Sequence, residues 1–574
     1  MAELRPFIVI INACALIILS SVSVGAQSPA DQFARDRSAS ERRDRLGVLA
    51  GRTPERLDDA SSARPAIGDG GRCFPVDKIV VDDASLLPKQ DIATVTGSFS
   101  GRCIGLGAIN LLLRNMTDLY LDRGYITSRV YVPEQDIGSS RTLRLKAVEG
   151  VISDIYLDGK PAPHSGELET AFPGLRGRAG NIHDIEQGLD QIDRLASSQA
   201  KSTMLPGADP GTAILNVDIE HGLPWQVSVG NNNLGQEQTG LSRSTVQIRR
   251  ENLFDLNDLF SFTYEHSGPD YPGNGDGRGK ADNYSALFSI PWGYWTFSGS
   301  GAWYEYKSEV PGNFASLSSS GTSGEIGVSV DRVLWRGPNA LTQLHLALTY
   351  KETENFLLGN RIEVGSRRYT VGSIGLTHSR RMLGGVWAFD ANVEQGLDLF
   401  GAVDEGEPSA GGADPRFTKF TGSISADTPF ELGNQSFIAS SIANAQVSGD
   451  SLFGSEQMSL GSYSNVRGTR DGVLYGNNGF FIRNDIVWRI RPWSDSPQMG
   501  ELFGEVQPYV GLDYGRVFSE ARHDIEGGFL SGWTIGMRLS GGKINLDFGY
   551  SDILATSSEQ RGEGLMFFSA NASW

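Results

Sequence analysis

The chain has 574 residues, 39% of them hydrophobic, with 71 glycines and a formal net charge of −18. That length suits several domains or one large sheet with appended modules, and the acidity argues against a nucleic-acid partner. Beyond residue 26 no apolar run reaches the ~18 residues of a spanning helix, so any membrane crossing falls to strands, which need only alternate.

At the N-terminus, Arg5, the apolar stretch 7–19 and the small residues Val24-Gly25-Ala26 read as a signal peptide over residues 1–26, cut between Ala26 and Gln27. Residues 27–50 follow as a helix. Its core segment, 31–49, interleaves Arg35, Asp36, Arg42, Arg43, Asp44 and Arg45 and has too few apolar positions to build a core. Residues 51–72, with Pro54, Pro65, Gly68, Gly70 and Gly71, read as a linker. Removing the signal leaves Cys73 and Cys103, and two cysteines in an exported chain predict one disulfide. Its stabilisation is roughly 3–4 kcal/mol on the chain-entropy model.

Two small α/β units come next. The first (73–149) opens with a strand over 74–81. A helix over 107–123 carries Ile109, Leu112, Leu113, Met116, Leu119 and Tyr120 in one stripe, Gly124 stops it, and strands follow near 128–133 and 142–149. The second unit (150–222) repeats the order. It has a strand at 151–157, a helix carrying Ile182, Ile185, Leu189, Ile192 and Leu195, and strands near 201–205 and 212–219. The pair forms an internal repeat of architecture, each unit β-α-α-β-β.

From 223 to 574 the texture is alternation. Phe260, Phe262 and Tyr264 interleave with Ser261, Thr263 and Glu265. Leu344, Leu346, Leu348 and Tyr350 interleave with Gln343, His345, Ala347 and Thr349. Further runs are Trp533, Ile535, Met537, Leu539 and Ile544, Leu546, Phe548, Tyr550, and the chain ends with Met566, Phe568, Ala570, Ala572 and Trp574 on one face. One apolar, aromatic-ended face and one polar face predict a transmembrane β-barrel of about sixteen strands. Catalytic patterns are missing. The seven histidines are scattered, no Gly-x-Ser-x-Gly elbow occurs, and Gly541-Gly542-Lys543 lacks the spacing of a phosphate loop. The stretch 268–283 reads as a hairpin loop, since its carboxylates lack EF-hand spacing. No enzyme activity, metal or cofactor is expected.

Four stretches carry a family resemblance: "CFPVDKIVVDDASLLP" through "GRCIGLGAINLLLRNMTDLYLDRGYITSRVYVPEQDI"; "DIEQGLDQIDRLASSQAKSTMLPGADPGTAILNV"; "SNVRGTRDGVLYGNNGFFIRNDI"; and "QPYVGLDYGRV". Together they resemble the outer-membrane transporters of two-partner secretion, the TpsB or hemolysin secretion/activation family. Two differences stand out: Gly511 where the family pattern has an aromatic, and Asn477 where it often has aspartate. The resemblance implies a mainly β chain, a sixteen-stranded transmembrane barrel in the bacterial outer membrane, preceded by two periplasmic polypeptide-transport-associated (POTRA) domains and a helix that can lie in the lumen. It implies recognition and ATP-free export of one large secreted exoprotein of the hemagglutinin/adhesin, hemolysin or contact-dependent toxin type. An assembly factor of the same superfamily is the alternative, though such factors usually carry more than two POTRA domains. A passive porin needs none.

One arginine poses a specific question. Val466-Arg467-Gly468 lies in the long loop 448–479. In the following strand Phe480, Ile482, Ile486, Trp488 and Ile490 share the lipid face. Around Tyr509, the residues Val510, Leu512 and Tyr514 face lipid, so Tyr509, Gly511, Asp513 and Gly515 point inward. A loop folded into the lumen would set Arg467 against Asp513, between glycines that leave room for a bidentate grip. The edges near 128–133 and 201–205 are candidate sites for strand addition by an extended polypeptide.

Overall fold

The computed structural model describes residues 28–52, 73–268, 279–310, 316–493, 495–523, 525–558 and 564–574. The expected signal peptide with its Ala26–Gln27 cleavage site, nearly all of the linker and most of the 268–283 loop lie outside these residues.

The predicted strand at 74–81 is two strands. Phe74–Val76 pairs antiparallel with Arg102–Ile104, beside the Cys73–Cys103 disulfide (Cα–Cα 5.4 Å). The chain then bends at Asp77, whose N–H donates to the Arg141 carbonyl (2.8 Å), and Lys78–Asp82 joins Thr142–Val148 in parallel. The disulfide holds one half in a separate ribbon, so the chain must turn to reach the sheet. Leu106–Leu121 buries Ile109, Leu112, Met116 and Tyr120 of the predicted stripe against Leu143 and Leu145, and Gly124 follows with φ +84°. Arg129–Tyr131 is an edge of this three-stranded sheet. The second module orders its sheet Lys160–Pro161, Val151–Leu157, Thr212–His221, Ser198–Pro206, again leaving an unpaired edge at Ser198–Pro206. Its helix Ile182–Asp193 turns Ile185 and Ile192 into the core with Leu215 and Val217.

Sixteen antiparallel strands, from Trp225–Asn232 to Leu565–Ser573, close into a barrel, with Asn360–Arg361 a short added pairing. Even strand number lets the first and last strands meet antiparallel, and that seam has five residue pairs, Ser228↔Ser573 to Asn232↔Ser569, extended by the mutual hydrogen bonds of Val227 and Trp574. Alternation sorts the wall. Ile326, Val328, Ile374, Leu376, Ile535 and Met566 are exposed on the outer face, whereas His345, Asp390, Lys419 and Asp513 are buried inward.

The second module seats on the short-turn end of the barrel. Gln187 and Gln191 donate to the Gly293 carbonyl (3.1 and 2.7 Å), Arg194 donates to Ser289 Oγ and the Asn257 carbonyl (2.6 Å each), and Arg336 pairs with Asp190. Asn257 donates back to the Glu167 carbonyl (2.8 Å), and Glu251 accepts from the Ser197 N–H (2.8 Å). This end is therefore the one the modules occupy, and the long loops lie at the other.

Candidate functional site

The N-terminal helix, Pro29–Gly51, is capped by Ser28 Oγ, which accepts from the Asp31 N–H (3.1 Å). At 1.5 Å per residue its 23 residues extend roughly 34 Å, about the thickness of a bilayer core. It runs down the lumen. Its first turn lies by the long-loop end, where Asp31 pairs with Arg367, and its last by the module end, where Leu49 packs on Val333 and Leu341. Between them the basic residues meet an acidic wall: Arg37–Glu325 (3.1 Å), Arg42–Glu394 (3.6 Å) and Arg45–Asp390 (4.0 Å). Phe33 stacks on Tyr304 with centroids 4.4 Å apart. The mixed charge that keeps this helix from building a core of its own is what a polar lumen accepts.

Loop 448–479 folds into the same lumen. Met458–Leu460 pairs with Leu474–Gly476 as a miniature hairpin, and its tip presses on the wall formed by Gly479–Arg489, Glu505–Val517, Gly528–Ser540 and Ile544–Thr556. Val466 and Leu460 are buried with Val517 and Leu530. Arg467 has no exposed surface. Its Nε and Nη2 donate to the two oxygens of Asp513 (2.6 and 2.7 Å), and its backbone N–H adds a third bond to Asp513 Oδ2 (3.0 Å). Nη2 also donates to Asp485 Oδ1 (2.6 Å). The glycines set the distance of approach. A Cβ on Gly511 would meet Arg467 Nη2 and Asp485 Oδ1, and one on Gly515 would stand 2.6 Å from Leu460 Cδ2 and 3.0 Å from Val466 Cγ2. Gly468, at φ +120°, lies where a Cβ would fall 2.6 Å from the Asp552 carbonyl carbon. Gly511, where the family pattern has an aromatic, thus leaves the space the guanidinium fills. Asn477, the other departure, is buried and accepts from the Leu452 N–H (3.2 Å) while donating to Glu520 (3.1 Å).

The structure brings Val466, Arg467, Gly468, Asp513 and Gly515 together on one wall; Cys73 and Cys103 stand apart, in the first module. Asp485, with Arg483 (3.8 Å) and Arg538 (3.4 Å) on its other oxygen, was missed by the sequence reading. The signal existed, because alternation that sends Ile482 and Ile486 to lipid sends Arg483 and Asp485 inward, and the register sets Arg483 opposite Asp513 and Asp485 opposite Gly511.

Helix and loop are also joined to each other. Arg35 donates to the Gly454 carbonyl and stacks over Tyr475 (4.9 Å), Arg43 donates to the Ser464 carbonyl (2.9 Å), and Gln32 donates to Asp471 (3.4 Å). Beneath them Glu456 bridges Lys351 (2.7 Å) and Lys419 (2.6 Å), and Lys419 also reaches Glu394 (3.0 Å), the partner of Arg42. One network of charges therefore ties helix, loop and wall.

A closed sixteen-stranded barrel with an apolar outer belt, two appended α/β modules and a lumen filled by its own helix and loop defines a β-barrel membrane protein with a plugged pore. The comparisons specify which. Residues 211–539 match the model of the haemolysin secretion/activation protein ShlB/FhaC/HecB, residues 74–150 the ShlB-type POTRA domain and residues 151–206 a second POTRA domain. The chain is 30% identical to the outer membrane transporter CdiB of Dickeya dadantii over 82% of its own length and 81% of that protein. It is also 30% identical to the hemolysin transporter protein ShlB of Serratia marcescens over 84% and 81%. Among solved structures, CdiB from Escherichia coli superposes with a TM-score of 0.85 at 27% identity, covering 96% of this chain and all of that one. The chain belongs to the ShlB/FhaC/HecB family, the TpsB transporters of two-partner secretion. It is an outer-membrane protein whose POTRA domains stand in the periplasm, and its family is a secretion family, not an enzyme family.

Proposed function

We propose that this chain exports one dedicated secreted protein, which it recognises in the periplasm through its POTRA domains and passes through the barrel without ATP. The observation that carries this reading is the plug. A 23-residue helix runs through the lumen, held by ion pairs, hydrogen bonds and a few apolar contacts. Polar contacts exchange with water on withdrawal, so such a helix leaves a wet pore at far lower cost than an apolar one. The edge strands Arg129–Tyr131 and Ser198–Pro206 offer an extended substrate a side with which no other strand pairs among the described residues. Relatives named as hemolysin transporters support a secreted protein as the cargo. In this reading Arg467 and Asp513 anchor the loop that shapes the channel wall.

The test is export of a large secreted protein sought among the neighbouring genes, followed in a host lacking both it and this chain. Surface delivery should require this chain and persist when the proton-motive force and ATP are depleted after the cargo has reached the periplasm. Cysteines on the two edge strands should crosslink the cargo's N-terminal region. Delivery of the cargo without this chain would overturn the assignment. Crosslinks confined to the lumen would remove the POTRA role.

A further inference from the structure

We propose that the outer face of the barrel, at its periplasmic rim beside the POTRA 2 seat, carries a binding site for an anionic phospholipid of the inner leaflet, formed by Arg332, Arg380 and His378 among Trp295, Trp335 and Trp387. Five neighbouring strands build it: Trp295–Val310, Leu317–Gly337, Ala340–Leu357, Arg367–Met382 and Gly385–Leu397. Alternation sends these side chains outward. Arg332 follows Ile326 and Val328 on the exposed parity of its strand, and Arg380 follows Ile374 and Leu376 on its own. Height follows from register. Arg332 lies opposite Trp295, the first residue of its strand, and Arg380 lies opposite both Ala340, another first residue, and Trp387. At about 3.3 Å per residue each sits within roughly 10 Å of the nearest turn, and the two arginines, opposite Leu344 and Ala340 of the strand between them, lie roughly 13 Å apart along it.

A guanidinium on a lipid-facing wall costs about 2–4 kcal/mol at mid-bilayer and close to nothing at the interface. The observed depth is the one at which lipid phosphates are the available anions. Neither Arg332 nor Arg380 has a carboxylate partner among the described residues. Instead Arg332 stacks over the Trp295 ring (4.6 Å), which orients the guanidinium and leaves its N–H edge free. A bulge between Val333 and Trp335 breaks the alternation and turns Leu334 and Trp335 outward together. Trp335 then stacks on His378 (6.5 Å), whose Nδ1 is engaged by Thr342 Oγ1 (2.9 Å), so Nε2 is the nitrogen presented to a ligand. The result is a row of two cations and an imidazole along the headgroup level, with three indoles and Leu334 for the glycerol and upper acyl chains. By contrast, the rim from Phe430 and Phe437 to Trp488 is aromatic and, among the described residues, has no outward arginine at strand level.

The test uses native mass spectrometry of the purified full-length protein released from nanodiscs holding equal phosphatidylglycerol and phosphatidylethanolamine. Phosphatidylglycerol should be the retained lipid. Arg332→Gln with Arg380→Gln should lower its retention between roughly fivefold and thirtyfold, at about fivefold per arginine. Arg332→Lys with Arg380→Lys should keep most of it, and Arg491→Gln, whose arginine is exposed on another stretch of rim and pairs with Glu505, should keep all of it. Heat-modifiable gel mobility certifies the folded barrel. Should the double glutamine variant not assemble, Arg380→Gln alone is read by the same retention, with a fivefold fall expected. Equal retention of the two lipids, an undiminished double variant, an equal loss in Arg491→Gln, or displacement by millimolar inorganic phosphate would each overturn the site.

Discussion

Replacing Arg467 with alanine removes the one cation that, among the described residues, hydrogen-bonds both Asp513 and Asp485, and abandons Asp513 in a wall position with 3% exposure. Breaking a buried ion pair from one side costs about 3–5 kcal/mol, because the surviving charge keeps its desolvation penalty. Here three side-chain hydrogen bonds of 2.6–2.7 Å go at once. Asp485 retains Arg483 and Arg538, whereas among the described residues Asp513 retains the backbone N–H of residue 467 alone, so the loss belongs mainly to the Asp513 side. At 1.36 kcal/mol per tenfold, the loop's opening equilibrium shifts by roughly two to nearly four decades. Strands remain paired throughout, so the barrel still assembles. The assay is limited proteolysis of loop 448–479 in intact outer membranes, read beside heat-modifiability and export of the cargo. Arg467→Ala should give a folded barrel, rapid cleavage between Met458 and Gly476 and reduced export. Arg467→Lys, a point charge unable to span both carboxylates, should fall between. An alanine variant whose loop resists protease as the parent does, with undiminished export, would refute the reasoning.

Other outcomes follow from the same geometry. Gly511→Ala should loosen the loop as Arg467→Ala does, because the new Cβ occupies the position of the Arg467 amine; the same proteolysis reads it. Arg367→Ala, which leaves Asp31 buried without its partner, should free the upper end of the plug and raise the frequency of large openings in planar-bilayer conductance; unchanged traces would show the helix is held elsewhere. Burial raises the Glu167 carboxyl above its ordinary value, against the lowering influence of His221 and the Asn252 hydrogen bond. A raised folded pKa makes the POTRA 2 seat tightest in acid, with stability lost as pH climbs from the ordinary glutamate range through the raised value. Glu167→Gln should flatten that dependence and slow hydrogen exchange in Gly166–Ala171 at pH 7. Cys73→Ser with Cys103→Ser should cost POTRA 1 roughly 3–4 kcal/mol, visible as faster exchange in Leu106–Leu121 with barrel amides unchanged.

Local chemistry determined much of this protein. Alternation along 344–350 and 533–539 fixes strand, face and membrane at once, because side chains reverse every residue and only a closed barrel satisfies the backbone in lipid. The stripe in 107–123 fixes a helix and its buried side for the same kind of reason. The opposition of Arg467 and Asp513 was readable too, since wall parity put one charge inside and the loop's glycines let the other approach. Tertiary structure decided the rest. The strand expected over 74–81 is two strands because Phe74–Val76 pairs with Arg102–Ile104 while Lys78–Asp82 joins Thr142–Val148, partners distant in sequence that no local propensity encodes. The N-terminal helix has no face periodic enough to reveal its seat, because its partners (Glu325, Glu394, Asp390 and Arg367) come from separate strands and surround it with polar wall. Asp485 joined the clasp only when register set it beside Gly511. A strand's pattern tells which way a side chain points, whereas which charges meet across a pore depends on how sixteen strands are staggered around it.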